Sequence, residues 1–463
     1  MLSGTASGVS QVSVVGEGSG ATPVTPRPRL RFAPAPTGLP HLGTARTALF
    51  NWLYARHCGG EMVLRIEDTN AELATKAHID QVLEMLDWLG LDFDGDPVFQ
   101  SERGGLYDAA VERWLDSGQA YLDDGAVRFA VPSEGVTAFD DTVRGRVEFP
   151  NASIEDFVVR RSDGSATFFV ANAVDDLDGG ITHVVRGEDL LNTTPRVVLL
   201  RAALGAADVP MFAHLPLIVD KQRKKLSKRR DDVSLTSYRD QGVLPQAMVN
   251  YLALLGWGPP DGIEVRPLAE IVELFDLADV NAAPAMFDMG KLTAINGEYL
   301  RSLDDAGFAA AIEPWVRAKP WGEALDLAAL SDVAPLIRER TRLLSDAPDR
   351  IAFLFAEPET DADDWDAALA APAGDILDRA RAAFAAFTDT EWTADSLHAC
   401  LRAIGEEFGL KLGKAQAPVR IAITGRSVGP PLFESLELLG RDTALRRLDE
   451  ARRRLGRTGL PAG

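Results

Sequence analysis

The chain has 463 residues, of which 46% are hydrophobic and 25% are charged, and its formal net charge is −21. A chain of this length is expected to form about three domains, and the composition is that of a globular protein with an ample core. The acidity weighs against promiscuous nucleic-acid binding, because contacts to phosphate come from lysine and arginine.

The sequence shows no pattern typical of a membrane span, a disulfide framework or a zinc site. No apolar stretch approaches the roughly 20 residues that span a bilayer. Cys58 and Cys400 are the only cysteines, so we expect no disulfide framework and no zinc site, which fits a reducing cytoplasm. Residues 1–28 are rich in Gly, Ser, Thr and Val without a basic start, which predicts a disordered extension rather than a secretory signal.

Residues 29–95 alternate between extended and helical patterns. Segments 29–34 and 62–66 are strand-like, whereas 41–58 and 74–89 have helical spacing of apolar residues. This βαβ pattern is typical of a parallel sheet covered by helices.

His41 is predicted to lie where the first strand leads into the first helix. Two prolines before it exclude helix, and Thr37-Gly38 predicts a turn. Free backbone N–H groups at a helix start favour an anion, although a histidine here is more often a structural cap. Gly43 removes a side chain near the helix start and would let a flat ring approach the backbone.

Residues 96–163 have shorter periods, with strand-like segments at 127–131 and 144–149, and we expect an α+β subdomain inserted into the sheet domain. The α/β pattern resumes at 167–174, 182–186, 195–204 and 215–219. The sheet domain is therefore predicted to comprise 29–95 and 164–235.

Seven of the ten residues from 221 to 230 are basic. Such a concentration of charge in an acidic chain predicts a loop that grips phosphate. The alternative is a solvated basic face or a localisation-type patch. The junction at His41 favours the phosphate interpretation.

Helical periodicity dominates the rest of the chain. Segments 244–255, 268–275, 289–294 and 304–319 are predicted helices, with Pro and Gly as breaks. Alanine-rich, helix-favouring sequence continues to the C-terminus. We expect a helical domain at 236–320 and another at 321–463.

Two of these segments resemble known signatures. His41-Leu42-Gly43-Thr44 resembles the first signature of class I aminoacyl-tRNA synthetases, and residues 225–229, Lys-Leu-Ser-Lys-Arg, resemble the second. Segments 36–38, 44–52, 65–69, 185–189, 214–217 and 250–257 resemble glutamyl-tRNA synthetase, and the likeness runs from residue 29 to residue 455. The resemblance implies a Rossmann-like α/β catalytic domain with an inserted acceptor-end-binding subdomain, a helical stem-contact domain and an all-α anticodon-binding domain.

The implied chemistry is activation of an amino acid by ATP, in which its carboxylate attacks the α-phosphorus and pyrophosphate leaves. Catalysis of such a step is mostly positioning and electrostatic stabilisation, so we expect no protein nucleophile. The catalytic candidates are His41, Lys225 and Lys228, and Mg²⁺ is expected with the ATP, held largely by phosphates and water. The expected ATP contacts are Pro36, Thr37, Gly38, His41, Gly43, Thr44, His214, Leu215, Leu226, Ser227 and Lys228.

The resemblance also implies an amino-acid pocket. Glutamate would be held by Arg31 and Arg186, and its ammonium group by Glu67. The expected glutamate contacts are Arg31, Ala33, Ala35, Glu67, Phe168, Asn172 and Arg186.

Several positions near the expected pocket depart from the family. Ala35 replaces a usual Ser and Phe168 a usual Tyr, and the loss of a hydroxyl there can reduce specificity or rate. Leu190 replaces a frequent His, and residues 230–231 replace a frequent His-Gly.

Acidic residues near that pocket have competing interpretations. Glu67 could instead pair with Arg65, and Asp68 is expected to be structural. Asp175 and Asp176 could hold a metal or cap a helix or turn, and we expect no zinc.

The C-terminal region resembles the helical anticodon-binding region of bacterial-type glutamyl-tRNA synthetases at residues 418–425 and 430–434. Candidate tRNA contacts are Arg338, Arg340, Arg342 and Arg420. For Arg446, Arg447 and residues 452–454 the alternative is a solvated last helix that complements its own dipole. This region argues against truncated relatives that modify a tRNA base, and against glutaminyl-type enzymes with a β-barrel C-terminal portion.

The sequence therefore predicts ATP-dependent ligation of L-glutamate to tRNA(Glu) through a glutamyl-adenylate, by a cytoplasmic protein that is a monomer by analogy. Whether tRNA(Gln) is also charged stays open. One alternative is a paralogue that activates glutamate or a related amino acid for another tRNA or a non-tRNA carrier. Another is a tRNA-binding scaffold that has lost activation, against which His41, Lys225 and Lys228 count.

Overall fold

The computed structural model describes residues 27–70, 72–226, 234–360, 362–368 and 372–458. The predicted extension at 1–28 therefore lies outside the described residues except for its last two positions. Ser227 and Lys228, both predicted ATP contacts, also lie outside them.

The strands of the described residues are β1 Arg29–Phe32, β2 Glu61–Ile66, β3 Val98–Phe99, β4 Ala120–Asp123, β5 Ala126–Phe129, β6 Val136–Asp141, β7 Gly145–Pro150, β8 Phe157–Arg160, β9 His183–Gly187, β10 Met211–Leu215, β11 Ile218–Val219 and β12 Ala285–Met286.

The helices are α1 Leu42–His57, α2 Lys76–Leu89, α3 Gly104–Asp116, α4 Phe168–Asp178, α5 Thr194–Ala203, α6 Leu235–Asp240, α7 Pro245–Ala253, α8 Leu268–Leu274, α9 Met289–Ser302, α10 Asp305–Arg317, α11 Leu327–Ile337, α12 Ala347–Phe355, α13 Ala362–Ala368, α14 Ala373–Ala385, α15 Ala394–Glu407, α16 Leu412–Thr424, α17 Leu432–Leu439 and α18 Arg441–Thr458.

A seven-stranded sheet forms the centre of the α/β region, in the order β3-β2-β1-β9-β10-β6-β7. All neighbouring pairs are parallel except β6 and β7, which form an antiparallel hairpin. The chain moves outward from β1 through β2 to β3 and later returns to the other side of β1 with β9. The sheet therefore has a topological switch point between β1 and β9, where α/β sheets bind ligands.

Helix α2 shows how local sequence sets the boundaries of an element. Thr75 caps its start by accepting a hydrogen bond from the backbone N–H of His78 (3.3 Å), and Gly90 ends it with φ 69°. Between them Val82, Met85, Leu86 and Leu89 are buried, which is the spacing of an amphipathic helix. Glycine suits the left-handed C-terminal position because it has no Cβ.

Helix α1 confirms the predicted helix at 41–58 and is more deeply buried than a one-face pattern implies. Ten of its residues are buried, because it packs against the sheet and also contacts α7 and α8. The core around it reaches from Leu30 in β1 to Ile295 in α9.

The segment 96–163 is divided between two sheets. β4, β5 and β8 form a separate antiparallel sheet, whereas β3, β6 and β7 join the main sheet. Hydrogen bonds of β6 to β10 therefore tie part of the expected insertion to the main sheet. The domain boundaries stay a prediction.

The predicted helix at 289–294 was too short, because α9 continues to Ser302. Asn296-Gly297 resembles a turn signal, but Asn296 is completely buried. Its side chain donates to the carbonyls of Gly242 (3.1 Å) and Arg342 (2.6 Å). Tertiary hydrogen bonds thus outweigh the local tendency to break.

Beyond β12 the described residues form helices and connecting segments without strands. One apolar cluster joins α10, α11 and α12, and a second joins α14 to α18. The all-α C-terminal region is therefore confirmed. Among the described residues no helix is long and apolar enough to cross a membrane.

Candidate active site

A cavity of about 280 Å³ opens at the switch point of the main sheet. It lies where β1, β9 and β10 end and α1 begins. Its lining includes Ala33 and Pro34 after β1, Arg186 at the end of β9, and residues 215–218 after β10. The position fits ligand binding outside the carboxyl ends of parallel strands.

His41 lies at the rim of this cavity and caps helix α1. The backbone N–H of Thr44 donates to its Nδ1 (3.2 Å). With Nδ1 accepting, the neutral ring carries its hydrogen on Nε2, the tautomer that can donate to a phosphate oxygen. The structural-cap and anion-binding interpretations are therefore compatible in one side chain.

Gly43 is required by the imidazole itself. A Cβ at this position would lie 3.0 Å from Cε1 and 3.1 Å from Nδ1 of His41. The absence of a side chain therefore lets the His41 ring lie against the first turn of α1, and Gly43 also lines the cavity.

Lys225 lines the same cavity as His41 although 184 residues separate them. Its Nζ lies 3.7 Å from a carboxylate oxygen of Asp189. The backbone forms a β-bridge with Val219, and Leu226 also lines the cavity. The amino-terminal signature and the described part of the basic segment thus meet at one cleft, which a shared phosphate ligand requires.

Arg46 is a cavity residue that the sequence analysis did not select. It is 3% exposed and donates to the carbonyls of Leu255 (3.1 Å) and Pro216. Burial lowers the pKa of Arg46 to about 10. A charged residue within an otherwise apolar helical stretch was the available signal.

Arg186 is buried, with 5% exposure, and lines the cavity. Nε donates to His214 Nε2 (3.2 Å), and Nη2 donates to the hydroxyl of Thr194 (2.7 Å). No carboxylate of the described residues forms a salt bridge with it. Burial, followed by repulsion from Arg31, lowers the pKa of Arg186 to about 9. A buried guanidinium without a counter-ion is expensive, which indicates a site for an anionic ligand.

Arg31 and Arg65 share the carboxylate of Asp176. Oδ1 of Asp176 accepts from Arg31 Nε (3.2 Å) and from Arg65 Nη1 (2.6 Å). Burial acts to raise the pKa of Asp176, but the two guanidinium groups lower it to about 2. Burial is also the main reason that the pKa of Arg31 is lowered.

Glu67 is held at the edge of this network. Its carboxylate accepts from Asn172 Nδ2 (3.1 Å) and from Arg65 Nη2 (3.4 Å). Burial raises the pKa of Glu67 despite the opposing charges of Arg65 and Arg31. The alternative pairing of Glu67 with Arg65 is therefore present in the structure. Phe168 adjoins the group, since its carbonyl also accepts from Asn172 (3.2 Å).

The structure shows a role for Asp175 and Asp176 that differs from both interpretations offered for them. Asp176 bridges two arginines, and Asp175 accepts from Gln100 (2.9 Å), Arg103 (2.7 Å) and Tyr107 (2.9 Å). Both carboxylates hold α4 in place. In the part of the chain that the structure describes, no group of three or more His, Cys, Asp or Glu could hold a metal ion.

Asp68 was expected to be structural and is. It accepts from the backbone N–H (2.8 Å) and the hydroxyl (2.7 Å) of Ser101.

Some of the remaining predicted ATP contacts line the cavity and others do not. Leu215 and Thr44 line the cavity, whereas Pro36, Thr37 and Gly38 form the connection between β1 and α1 beside it. His214 is completely buried and is absent from the cavity wall. Its ring lies beneath Arg186, which makes it a support for that residue.

Two candidate tRNA contacts meet in the helical region. Arg340 and Arg420 donate to the carbonyls of Gly429 (3.2 Å) and Pro430 (2.7 Å), in the connection between α16 and α17. Burial, then repulsion from Arg340, lowers the pKa of Arg420. These two arginines, far apart in sequence, therefore shape the same loop.

The other candidates lie apart from that loop. Arg338 is partly buried and pairs with Asp305 (2.6 Å), whereas Arg342 is exposed. Arg447, for which a solvated last helix was one of the interpretations, is 4% exposed. It donates to the carbonyls of Ile423 (2.8 Å) and Ala356 (2.9 Å), so α18 is fastened to its neighbours by a buried cation.

Comparison with known proteins agrees with this geometry. Residues 28–126 and 124–294 match the family model of tRNA synthetases class I (E and Q), catalytic domain. The chain belongs to this family. Residues 307–452 match a second model, the anticodon binding domain.

Curated relatives of this class I synthetase extend over nearly the whole chain. It is 50% identical to the glutamate-tRNA ligase of Frankia casuarinae, with 93% of the chain and 98% of the relative covered. It is 45% identical to the ligase of the same name from Thermobifida fusca, with the same two coverages.

A solved structure shares the architecture. The glutamate tRNA ligase from Elizabethkingia meningosepticum, solved in complex with its amino acid, superposes with a TM-score of 0.82 at 28% identity. The match covers 92% of this chain and 99% of that one.

Proposed function

We propose that the protein joins L-glutamate to tRNA(Glu) in two steps, through a glutamyl-adenylate formed from ATP. The observation that carries the proposal is Arg186, a buried cation without a carboxylate partner among the described residues, in the wall of a cleft that also contains His41 and Lys225. The relatives named as glutamate-tRNA ligases support the same reaction.

The charges around the cleft match those of glutamate. Arg186 and Arg31 supply positive charge for its side-chain carboxylate, and arginine is the apt partner because its donors match a carboxylate. Glu67, held by Asn172 (3.1 Å), supplies negative charge for the ammonium group. Ala33 lines the same cavity, whereas Ala35 is exposed.

ATP would enter as its Mg²⁺ complex, with the ion held largely by phosphates and water. His41 donates from the start of α1, where the helix dipole also favours negative charge. Lys225, which lines the same cavity, would attract the leaving pyrophosphate together with Lys228 of the same basic segment. The protein accelerates the step by positioning and by electrostatic stabilisation.

The second step places the ester on the terminal ribose of the tRNA. The matched anticodon domain supports recognition of the distant end of the tRNA, and Arg338, Arg340, Arg342 and Arg420 are proposed contacts.

Cys58 and Cys400 are both free thiols, which supports a location of the protein in a reducing cytoplasm.

Pyrophosphate exchange with each amino acid, run with and without tRNA, separates this proposal from its alternatives. Glutamate-dependent exchange followed by charging of purified tRNA(Glu) supports it, and a parallel reaction with tRNA(Gln) defines the acceptor range. Exchange without charging of any tRNA would favour a paralogue that uses another carrier. No exchange with any amino acid would favour a scaffold.

Arg186→Ala tests the site. Loss of a hydrogen-bonded cation should raise the glutamate KM about 10- to 100-fold, since such bonds contribute about 1.5–3 kcal/mol, with a much smaller change for ATP. Arg266→Ala is the matched control, because Arg266 is equally buried (6%) but is paired with Asp261 (2.6 Å) and is absent from the cleft. Equal changes for glutamate and ATP would contradict the assignment.

A further inference from the structure

The guanidinium of Arg186 is held by neutral acceptors. Nε donates to His214 Nε2, and Nη2 donates to Thr194 Oγ1. Both acceptor residues are completely buried. These contacts fix one edge of the guanidinium plane, and Nη1 has no hydrogen-bond partner among the described residues.

His214 can accept from Arg186 in one tautomer only. Nε2 must be without hydrogen, so the neutral ring carries its hydrogen on Nδ1. Nδ1 lies 2.5 Å from Oδ2 of Asp141 and donates to it. Burial lowers the pKa of His214, which keeps the ring neutral near neutral pH.

Asp141 is used as an acceptor on both oxygens. Oδ2 also accepts from the backbone N–H of His214 (3.0 Å), and Oδ1 accepts from those of Val143 (2.9 Å) and Arg144 (2.8 Å). Every neighbour is therefore a donor, so a carboxylate is the side chain that satisfies all of them. The position of the negative charge and the tautomer of His214 are fixed together.

We infer that Asp141 and His214 form a positioning pair that orients Arg186 for the glutamate side chain while leaving its charge uncompensated. A carboxylate in direct contact would orient Arg186 equally well but would neutralise it, as Asp176 does for Arg65. With an imidazole between Asp141 and Arg186, the guanidinium is oriented but its charge is not neutralised. The inference rests on the proposed function, because it assigns the determinant of the same amino-acid site.

The pair also links two parts of the chain. Asp141 ends β6, which belongs to the segment 96–163 and lies between β7 and β10 in the main sheet, and His214 lies in β10. Asp141 and Phe212 are paired in the parallel register of these strands. The hairpin of β6 and β7 therefore contributes to selection of the amino acid, beyond any role in binding the acceptor end.

Asp141→Asn is the first test. The amide must direct its NH₂ group either at two backbone N–H groups or at His214. In the first case the amide opposes the N–H groups of Val143 and Arg144, which displaces the side chain from His214. In the second case Nδ1 becomes the acceptor and Nε2 gains the hydrogen. An N–H then faces the N–H of Arg186, and the hydroxyl of Thr194 (3.0 Å) is the acceptor left for it. The glutamate KM in pyrophosphate exchange should rise about 10- to 100-fold, and the ATP KM by less than about 3-fold.

Two substitutions of His214 test the same contact without changing Asp141. His214→Gln retains an amide oxygen that can accept from Arg186, whereas His214→Leu retains the bulk without an acceptor. We expect Gln to restore most of the glutamate affinity that Leu removes. A purely structural role would make the two variants alike.

Thr137→Val is the matched control. Thr137 is buried in the same strand and donates to Asn151 (2.7 Å), but it does not contact the pair. It should lower stability while leaving the glutamate KM unchanged. Unchanged glutamate KM in Asp141→Asn, or equal glutamate KM values for the two His214 variants, would overturn the inference. Absence of glutamate-dependent exchange in the unmodified protein would instead refute the proposed function, and the inference with it.

Discussion

Replacement of Asp176 by Asn should destabilise the catalytic region strongly. Asp176 is 3% exposed and is the only carboxylate among the described residues that pairs with Arg31. A pKa of about 2 instead of 3.8 corresponds to about 2 kcal/mol of stability at neutral pH. Removal of one partner of a buried pair typically costs about 3–5 kcal/mol, so we expect a loss of roughly 2–5 kcal/mol.

The matched control is Asp178→Asn in the same helix. Asp178 pairs with Arg103 (2.5 Å), but its side chain is 58% exposed, and exposed pairs contribute about 1 kcal/mol or less. The free energy of unfolding of both variants is measured by urea denaturation followed by circular dichroism. A loss for Asp176→Asn no larger than that for Asp178→Asn would refute the reasoning.

The pH dependence gives an independent check on Asp176. Because its pKa is lower in the folded state, its contribution is present above the unfolded pKa of 3.8 and is lost as the pH falls toward about 2. The unmodified protein should therefore lose more stability than Asp176→Asn over that interval.

Three further predictions concern the cleft. Lys225→Ala should lower pyrophosphate exchange by about 10-fold or more, whereas Lys224→Ala should not, because Lys224 does not line the cavity; equal effects would contradict the assignment. Gly43→Ala should lower pyrophosphate exchange, because the added methyl group displaces the ring of His41. The melting temperature should be kept or raised, since alanine is favoured over glycine in helices by up to about 1 kcal/mol. Unchanged exchange would show that the position of the ring is unimportant. Because burial raises the pKa of Glu67, the glutamate KM should begin to rise at pH values above 4.5 as the pH is lowered, and a constant KM would exclude a role for its charge.

Much of the fold could be predicted from local sequence. The helix at 41–58 and the helices at 244–255 and 304–319 were confirmed as α1, α7 and α10, with ends shifted by one or two residues. Their apolar spacing and their boundary residues act within a few positions of one another. The error at α9 arose where buried side-chain contacts of Asn296 outweighed a local turn signal.

The site was predictable in part. His41, Lys225 and Arg186 were selected from motifs, and the structure places all three at one cavity. Asp141 could not be selected, because its contact with His214 spans 73 residues. No periodicity or spacing in the sequence records that contact.

Local sequence predicted the alternation of strands and helices at 29–95, the helical C-terminal region and the family, because these depend on periodicity and on motifs within short segments. Which of the buried charges have a partner of opposite charge depends on the packing of the folded chain. Asp176 pairs with Arg31 and Arg65, whereas Arg186 is held by the neutral imidazole of His214. The difference arises from how β1, β9 and β10 bring distant residues together in a buried space, where the energy of each charge depends on its nearest partners.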